Sequence, residues 1–280
     1  MDLSERIAAS IVTYRTSPDE LQTAVADLNA AGVCHIVVVD NSPTESLRPL
    51  CEDMGVEYVY PGANLGYGAA HNIALRRSLE NPMIDYHLVM NSDIRFGSDT
   101  IRRITAHMDA HKDIGQLIPR VNYPDGRLQP SVRMLPTPLD VIGRRFLPGW
   151  MMRGRDRRYT LAFWDHASEA DIPYHQGSFM FLRTEALRSE GLFDERFFMY
   201  PEDIDLTRRI HRHWRTVYWP GASIVHHHRA ASYRSWRMTW IHVTNMSRYF
   251  NKWGWFHDPE RRRENRRLLS TLVQKPVDKC

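Results

Sequence analysis

The sequence predicts an α/β protein built on a mostly parallel sheet with helices on both faces. Short apolar runs at 7–13, 35–39 and 86–90 are rich in Val, Ile and Leu without strict alternation, as strands buried on both faces are. The stretches between them have the lengths and caps of helices, which gives successive βαβ units. Polar residues end the runs at Thr13, Asp40-Asn41 and Asn91-Ser92-Asp93. These collect at the carboxyl edge of the sheet, where open α/β sheets bind ligands.

Residues 7–13 form the first strand. Ser17 caps a helix, Pro18 suits its first turn, and Asp19 and Glu20 favour the positive end of its dipole; this helix ends near Gly32. His35–Val39 is the second strand and 56–60 a short third. Asn64-Leu65-Gly66-Tyr67-Gly68 is a loop, with a helix after it to about Leu79. Tyr86–Met90 is the fourth strand, followed by a helix over roughly 98–111. From about 120 to 172 five prolines interrupt any period and 144–158 is rich in Arg, which predicts a variable insertion or mobile loop over the site. Order resumes with a strand over 176–182, a helix from Thr184, a helix over 204–213, and short strands at 217–219 and 223–225. Trp236, Trp240, Val243, Met246, Phe250 and Trp253 then recur at spacings of three and four, marking an amphipathic helix over 234–253.

Composition bounds the class. A chain of 280 residues with 42% hydrophobic and 25% charged residues fits one large domain, or one domain with an appendage. No run of about 18 apolar residues exists, so no spanning helix is expected, and Met1–Arg6 lacks the apolar core of a signal peptide. Cys34, Cys51 and Cys280 have no disulfide or metal spacing, which predicts reduced thiols in a cytoplasmic protein. Net charge is +4, yet residues 229–267 hold ten Lys or Arg against three acids, a local +7 that leaves the remainder at −3. A basic C-terminal segment on a slightly acidic body predicts an anionic partner there.

The run Phe197-Phe198-Met199-Tyr200-Pro201-Glu202-Asp203-Ile204-Asp205-Leu206 passes from aromatic residues to three acids within four positions. Carboxylates so close repel unless a metal, a cation or a proton-transfer task employs them. With the Asn91-Ser92-Asp93 turn, they predict a metal-assisted transferase. Acids at the strand ends exclude nucleic acid from the main cleft.

Ile11-Val12-Thr13-Tyr14, Val39-Asp40-Asn41-Ser42, Asn64 through Asn72, Asn91-Ser92-Asp93, Gly177-Ser178-Phe179-Met180, Gly191 through Asp205, and His226-His227-His228, in that order, resemble family 2 glycosyltransferases of the GT-A fold. The 197–206 run and Tyr249–Phe256 are most similar to bacterial rhamnosyltransferases of O-antigen and surface-polysaccharide assembly. The resemblance implies a Rossmann-like GT-A catalytic domain over 1–232, with a nucleotide-sugar half (about 1–115) and an acceptor half (about 116–232). Residues 233–280 are then a helical, basic and aromatic extension.

By that resemblance Asp203 is the general base of an inverting transfer, with Glu202 the alternative base or an acceptor-orienting group. Asp93 is a ligand of a divalent cation, Mg or Mn, and His226 or His228 completes the site. Asp40, with Asn41, reads the nucleotide base, and Thr13 and Tyr14 line the same pocket. A carboxylate accepts the N3–H of uracil or thymine alike. Asn64, Gly66, Tyr67, Gly68, Asn72, Asn91, Ser92, Gly177 and Ser178 complete the nucleotide-sugar site, the glycines allowing close approach and the helix start favouring an anion. Asp205 is a helix-start acid or an Arg partner. The implied donor is dTDP-rhamnose, with UDP-sugars next, and the implied acceptor is a saccharide, usually lipid-linked. Trp236, Trp240, Trp253, Trp255 and Phe256 with Arg234, Arg237, Arg248 and Lys252 suit either an anionic membrane surface or packing on the catalytic domain. The implied location is the inner face of the bacterial cytoplasmic membrane. A nucleotidyltransferase is the rival enzyme class, although Thr13–Ser17 lacks its Gly-rich loop. A binder acting through the basic tail is the non-enzymatic alternative.

Overall fold

The computed structural model describes residues 3–143, 147–227 and 236–273. Strands β1 (Ile7–Thr13), β2 (His35–Asp40), β3 (Glu57–Val59) and β4 (Tyr86–Met90) are parallel in the order β3-β2-β1-β4. Helices α2 (Pro18–Ala30) and α4 (Tyr67–Glu80) make the crossovers; a single turn, α1 (Leu3–Arg6), precedes β1, and α3 (Arg48–Asp53) precedes β3. Ser17 caps α2 through its hydroxyl, which accepts from the Glu20 amide, with Pro18 in the first turn as expected. Gly66, at φ 87°, ends the loop before α4.

The second half completes the sheet less regularly. After β5 (Ile94–Arg95) and α5 (Thr100–Ala110) come β6 (Ile114–Asn122), α6 (Gly149–Tyr159), β7 (Ala170–Asp171), β8 (Phe179–Arg183), α7 (Thr184–Glu190), α8 (Pro201–Ile210) and β9 (Arg215–His226). The order continues β4-β8-β6-β9-β5, with β7 also on β9. Strand β8 runs antiparallel to β4 and β6, β6 and β9 are parallel, and β5 and β7 are antiparallel to β9. Ile7, Ala9 and Ile11 join the core with Leu21, Val25 and Leu28 of α2 and Ile101, Ile104 and Met108 of α5. On the other face, Val37 and Val39 meet Ala70 and Ala74 of α4, while Val89, Met180 and Leu182 meet α7 and α8.

Residues 120–172 correct the expectation of a loop over the site. This stretch contains all of α6, and Val132, Leu135, Tyr159, Leu161, Trp164 and Ile172 lie in the main core. Its prolines break periodicity without removing apolar payload. The two short strands expected near 217 and 223 are one strand, bulged in its pairing with β6 between Pro119 and Arg120.

The C-terminal helices α9 (Trp236–Trp253) and α10 (Pro259–Val273) dock on this body. Arg208 of α8 is buried, donates to both Asp258 oxygens at 2.8 and 2.7 Å, and lies 4.0 Å from the Trp253 ring centre. Asp205 accepts from Arg209 Nε at 2.9 Å and Trp253 Nε1 at 2.8 Å, and pairs with Lys252 at 2.6 Å. Asn265 exchanges hydrogen bonds with the Leu135 backbone. No helix among the described residues is long and apolar enough to cross a membrane.

Candidate active site

Register gathers the polar strand ends. Thr13 pairs with Asp40, and Ile11 with Met90, so Asn91 follows directly at the same edge. Strand β8 runs the other way, so its start reaches that edge too: Phe179 pairs with Met90, and the Asn91 amide donates to Ser178 O at 3.0 Å. Short β5 pairs Ile94 with His226, which carries the end of β9 to the turn holding Asp93.

Asp93 Oδ1 and His226 Nε2 stand 3.3 Å apart. His226 is buried, and its Nδ1 is 3.1 Å from Gln129 Oε1. That partner takes an Nδ1 proton, which turns the lone pair of a neutral ring's Nε2 towards Asp93. A carboxylate oxygen and an imidazole lone pair face each other favourably only across a proton or a cation. Adjacent ligands held at about 2.1 Å from one cation lie roughly 3 Å apart, so this pair fits two positions of a Mg or Mn site. Among the described residues no group of three His, Cys, Asp or Glu side chains forms a metal cluster. His228 lies outside the described residues. Gln129 was missed because nothing local marks a lone Gln as a histidine's partner.

The Glu202–Asp203 pair opens α8. Tyr200, just before it, has φ 93°, a strained value for a bulky residue, and Pro201 sits in the first turn. The helix therefore begins three residues earlier than the pattern at Ile204 indicates. Asp203 Oδ2 accepts from the Gly177 amide at 2.9 Å and Oδ1 from the Ile204 amide at 2.8 Å. A Cβ on Gly177 would fall 3.1 Å from Asp203 Cβ, a tight contact that Asp203 would have to relieve by a few tenths of an ångström. Burial pushes the Asp203 carboxyl up to about 7 against the pull of those two amides and of Arg133. Burial, and then the Asp203 charge, raises Glu202 well above the carboxylate range.

Tyr67 spans the two groups. Its hydroxyl lies 2.6 Å from Gly177 O, beside Asp203, and 3.0 Å from Asn91 Oδ1, beside the Asp93 turn. Burial raises its phenol, and the charges of Glu202, Asp203 and Asp93 add to the effect.

The loop glycines lie against the chain itself. A Cβ on Gly66 would fall 2.2 Å from Phe198 O, and one on Gly68 would fall 2.8 Å from Phe193 Cβ. The Tyr67 amide donates to Phe198 O, so the chain itself takes up part of the α4 start. Asn64 Oδ1 accepts from the Gly66 amide, and Asn41 holds the loop through Gly66 O and the Leu65 amide. Asn72 binds both backbone groups of Phe193, and Ser92 donates to Glu20 Oε1 at 2.6 Å. Ser178 Oγ is buried and has no hydrogen-bond partner among the described residues.

Asp40 is fully buried. Oδ1 accepts from Thr13 Oγ1 and the Ser42 amide, both at 3.0 Å, and Oδ2 from Tyr58 OH at 2.8 Å. Tyr14 is half-exposed, with the Arg15 guanidinium 5.5 Å from its ring centre. Arg133 and Tyr174 were missed because they fall in or just after the Pro-broken stretch. The Val132–His175 bridge puts Arg133 beside Tyr174, with its guanidinium 5.7 Å from that ring centre and in reach of Asp203's charge.

This geometry and comparison with known proteins define the class. The sequence profile of Glycosyl transferase family 2 matches residues 9–188, and the chain belongs to that family. Among its relatives is the N-acetylglucosaminyl-diphospho-decaprenol L-rhamnosyltransferase of Mycobacterium tuberculosis (strain CDC 1551 / Oshkosh), 31% identical over 235 residues, 77% of this chain and 74% of the relative. Rhamnosyltransferase WbbL of Escherichia coli (strain K12) is 26% identical over 85% of this chain and 90% of its own length. The fold is similar to mannosyltransferase PcManGT from Pyrobaculum calidifontis, solved with GDP-Man and Mn2+, with TM-score 0.56, 15% identity, and 97% and 76% of the two chains covered. It is also similar to GalNAc-T7, solved with UDP, GalNAc and Mn2+, with TM-score 0.58, 12% identity, and 80% and 44% covered.

Proposed function

We propose that this protein is an inverting, divalent-cation-assisted glycosyltransferase that moves L-rhamnose from dTDP-rhamnose to a lipid-linked saccharide in cell-surface polysaccharide synthesis. The observation that carries the reading is the pairing of two centres: buried carboxyls at Glu202–Asp203 and the Asp93–His226 pair, both adjoining Tyr67 contacts. Inversion needs a base on the face opposite the leaving diphosphate. In this reading Asp203 takes the proton of the attacking acceptor hydroxyl. Asp93 and His226 would hold Mg or Mn, which supplies charge to neutralise the leaving diphosphate. Thr13, Asp40 and Tyr14 form the base pocket, with the spare lone pair of Asp40 Oδ2 accepting the pyrimidine N3–H. Asp40 serves uracil as well as thymine, so a UDP-sugar donor is the second reading.

The rhamnosyl assignment leans on the two rhamnosyltransferase relatives. A thermal-shift panel of thymidine, uridine, guanosine and cytidine diphosphates, each with Mg, Mn or chelator, tests the donor site. A rise in melting temperature with one pyrimidine diphosphate, lost in chelator, is expected. No response to any nucleotide overturns the reading, and pyrophosphate release from a nucleoside triphosphate would point to a nucleotidyltransferase.

The C-terminal helices divide the residues expected at a membrane. Lys252 pairs with Asp194 and Asp205, Arg248 donates to Arg196 O, and Trp253 packs inward. Trp236 and Trp240, one helical turn apart, remain 87% and 73% exposed, and Phe256 is exposed as well. The membrane part of the proposal therefore rests on these three rings. Trp236→Ala/Trp240→Ala should lose sedimentation with anionic vesicles and keep nucleotide binding; equal sedimentation would leave the rings without a membrane function.

A further inference from the structure

We infer that Glu202 works as a neutral carboxylic acid, donating a hydrogen bond to a sugar hydroxyl held beside Asp203; this deepens the transferase reading and rests on it. The two neighbours are buried alike, at 4% and 7% exposed, but are solvated differently. Both oxygens of Asp203 accept backbone amides. Glu202 Oε2 is buried and has no hydrogen-bond partner among the described residues. An ionised carboxylate with an unsolvated oxygen, next to a second carboxylate, is a costly arrangement, and a proton on it removes the cost.

The surroundings favour the same division. Tyr67 approaches the pair from α4, Tyr174 from the segment before β8, and Asp93 adds negative potential at Tyr67 from beyond β4. The cation in reach is Arg133, and its field favours charge on Asp203. The helix start lies against Glu202 at Gly68, where a Cβ would be excluded by Phe193 Cβ at 2.8 Å and would sit in ordinary contact, 3.4 Å, with Glu202 Cβ. Two carboxyls in one pocket with unequal surroundings take different tasks, one ionised and one a donor. A saccharide offers hydroxyl oxygens as acceptors for the O–H of Glu202. When the acceptor hydroxyl attacks, its O–H bond breaks and that proton passes to Asp203. The Glu202 proton stays in place, holding the sugar.

The test compares Glu202→Gln, Glu202→Ala and Asp203→Asn. Glutamine remains an uncharged donor, so E202Q should keep most of kcat. E202A loses one hydrogen bond and should raise KM roughly two- to tenfold. D203N should lower kcat about 10²- to 10⁴-fold with KM little changed. Infrared spectra above pH 7 should show a protonated-carboxyl band in wild type and D203N that is missing in E202Q. Should E202Q fold poorly, 13C-labelled Glu in the unmodified protein reads the same protonation. E202Q as inactive as D203N, or a band that follows Asp203, overturns the inference. If wild type transfers no sugar from any nucleotide sugar, the transferase reading fails, while the infrared result still decides which carboxyl holds the proton.

Discussion

Among the almost completely buried acids of this protein, four form two contrasting pairs. Asp40 and Asp205 are each met by three donors: Thr13, Ser42 and Tyr58 for the first, Arg209, Lys252 and Trp253 for the second. Asp203 has two backbone amides, and Glu202 Oε2 has no hydrogen-bond partner among the described residues. Burial therefore does not distinguish a working acid from a structural one; the supply of donors does. A fully solvated buried carboxylate joins chain segments, while an undersolvated one keeps capacity for a ligand or a proton. Asp205 shows the joining function best, since its partners tie α8 to α9.

The largest effect that would break this contrast lies in turnover. D203N should lose most of kcat while nucleotide binding and melting temperature hold, because a neutral amide replaces an unfavourable buried charge. Asp205→Ala should do the reverse. It takes one acceptor from Arg209, Lys252 and the Trp253 N–H, and although Arg209 keeps the Glu190 and Leu192 carbonyls and Lys252 keeps Asp194, breaking a buried pair costs on the order of 3–5 kcal/mol. Urea unfolding would show it, with nucleotide affinity per folded molecule unchanged. A loss under about 1 kcal/mol would mean that surface-pair energetics govern this contact after all.

The pH dependence of stability sharpens the same contrast. Asp203 is raised in the fold to about 7, from near 4 when unfolded, so between those values the native state binds more protons than the unfolded one. Stability should then fall as pH rises through that window, by on the order of a few kcal/mol for this buried group. D203N should remove Asp203's share of the slope and leave that of Glu202, whose carboxyl is raised as well. The rate should run the opposite way, rising through pH about 7 as the base ionises. A stability curve with the same slope in wild type and D203N would place the proton elsewhere.

The legibility of the chain follows the same division. The parallel half was readable because each unit signals itself: apolar run, Ser17 cap, Pro18, polar strand end. The mixed half was less readable because its order depends on non-local pairing. Residues 130–134 lie along 174–177, and β9 bridges a bulge, neither of which leaves a local period. Acids at strand and helix ends could be seen in the sequence, but their partners could not. Gln129, Tyr58, Arg133 and Tyr174 are ordinary residues until the fold sets them beside His226, Asp40 and Asp203. The glycines were rightly read as points of close approach, and what approaches Gly66 and Gly68 is the chain's own 193–202 segment.

The smallest predicted effect concerns the well-solvated side of the contrast, at Asp40. Tyr58→Phe removes one of its three donors without changing shape. If Asp40 is mainly a junction among β1, β2 and β3, the variant should cost about 1 kcal/mol of stability, the worth of one hydrogen bond, and leave nucleotide affinity nearly unchanged. The lost donor would be felt at Oδ2, the same oxygen proposed to meet the pyrimidine N3–H. Tyr58 thus also fixes the direction in which that oxygen's remaining lone pair points. A tenfold weakening of thymidine diphosphate by titration calorimetry, with guanosine diphosphate unaffected, corresponds to about 1.4 kcal/mol of selective loss. That outcome would move Asp40 across the divide, as a well-solvated acid that also reads a ligand, and donor supply alone would no longer separate structural from working carboxylates.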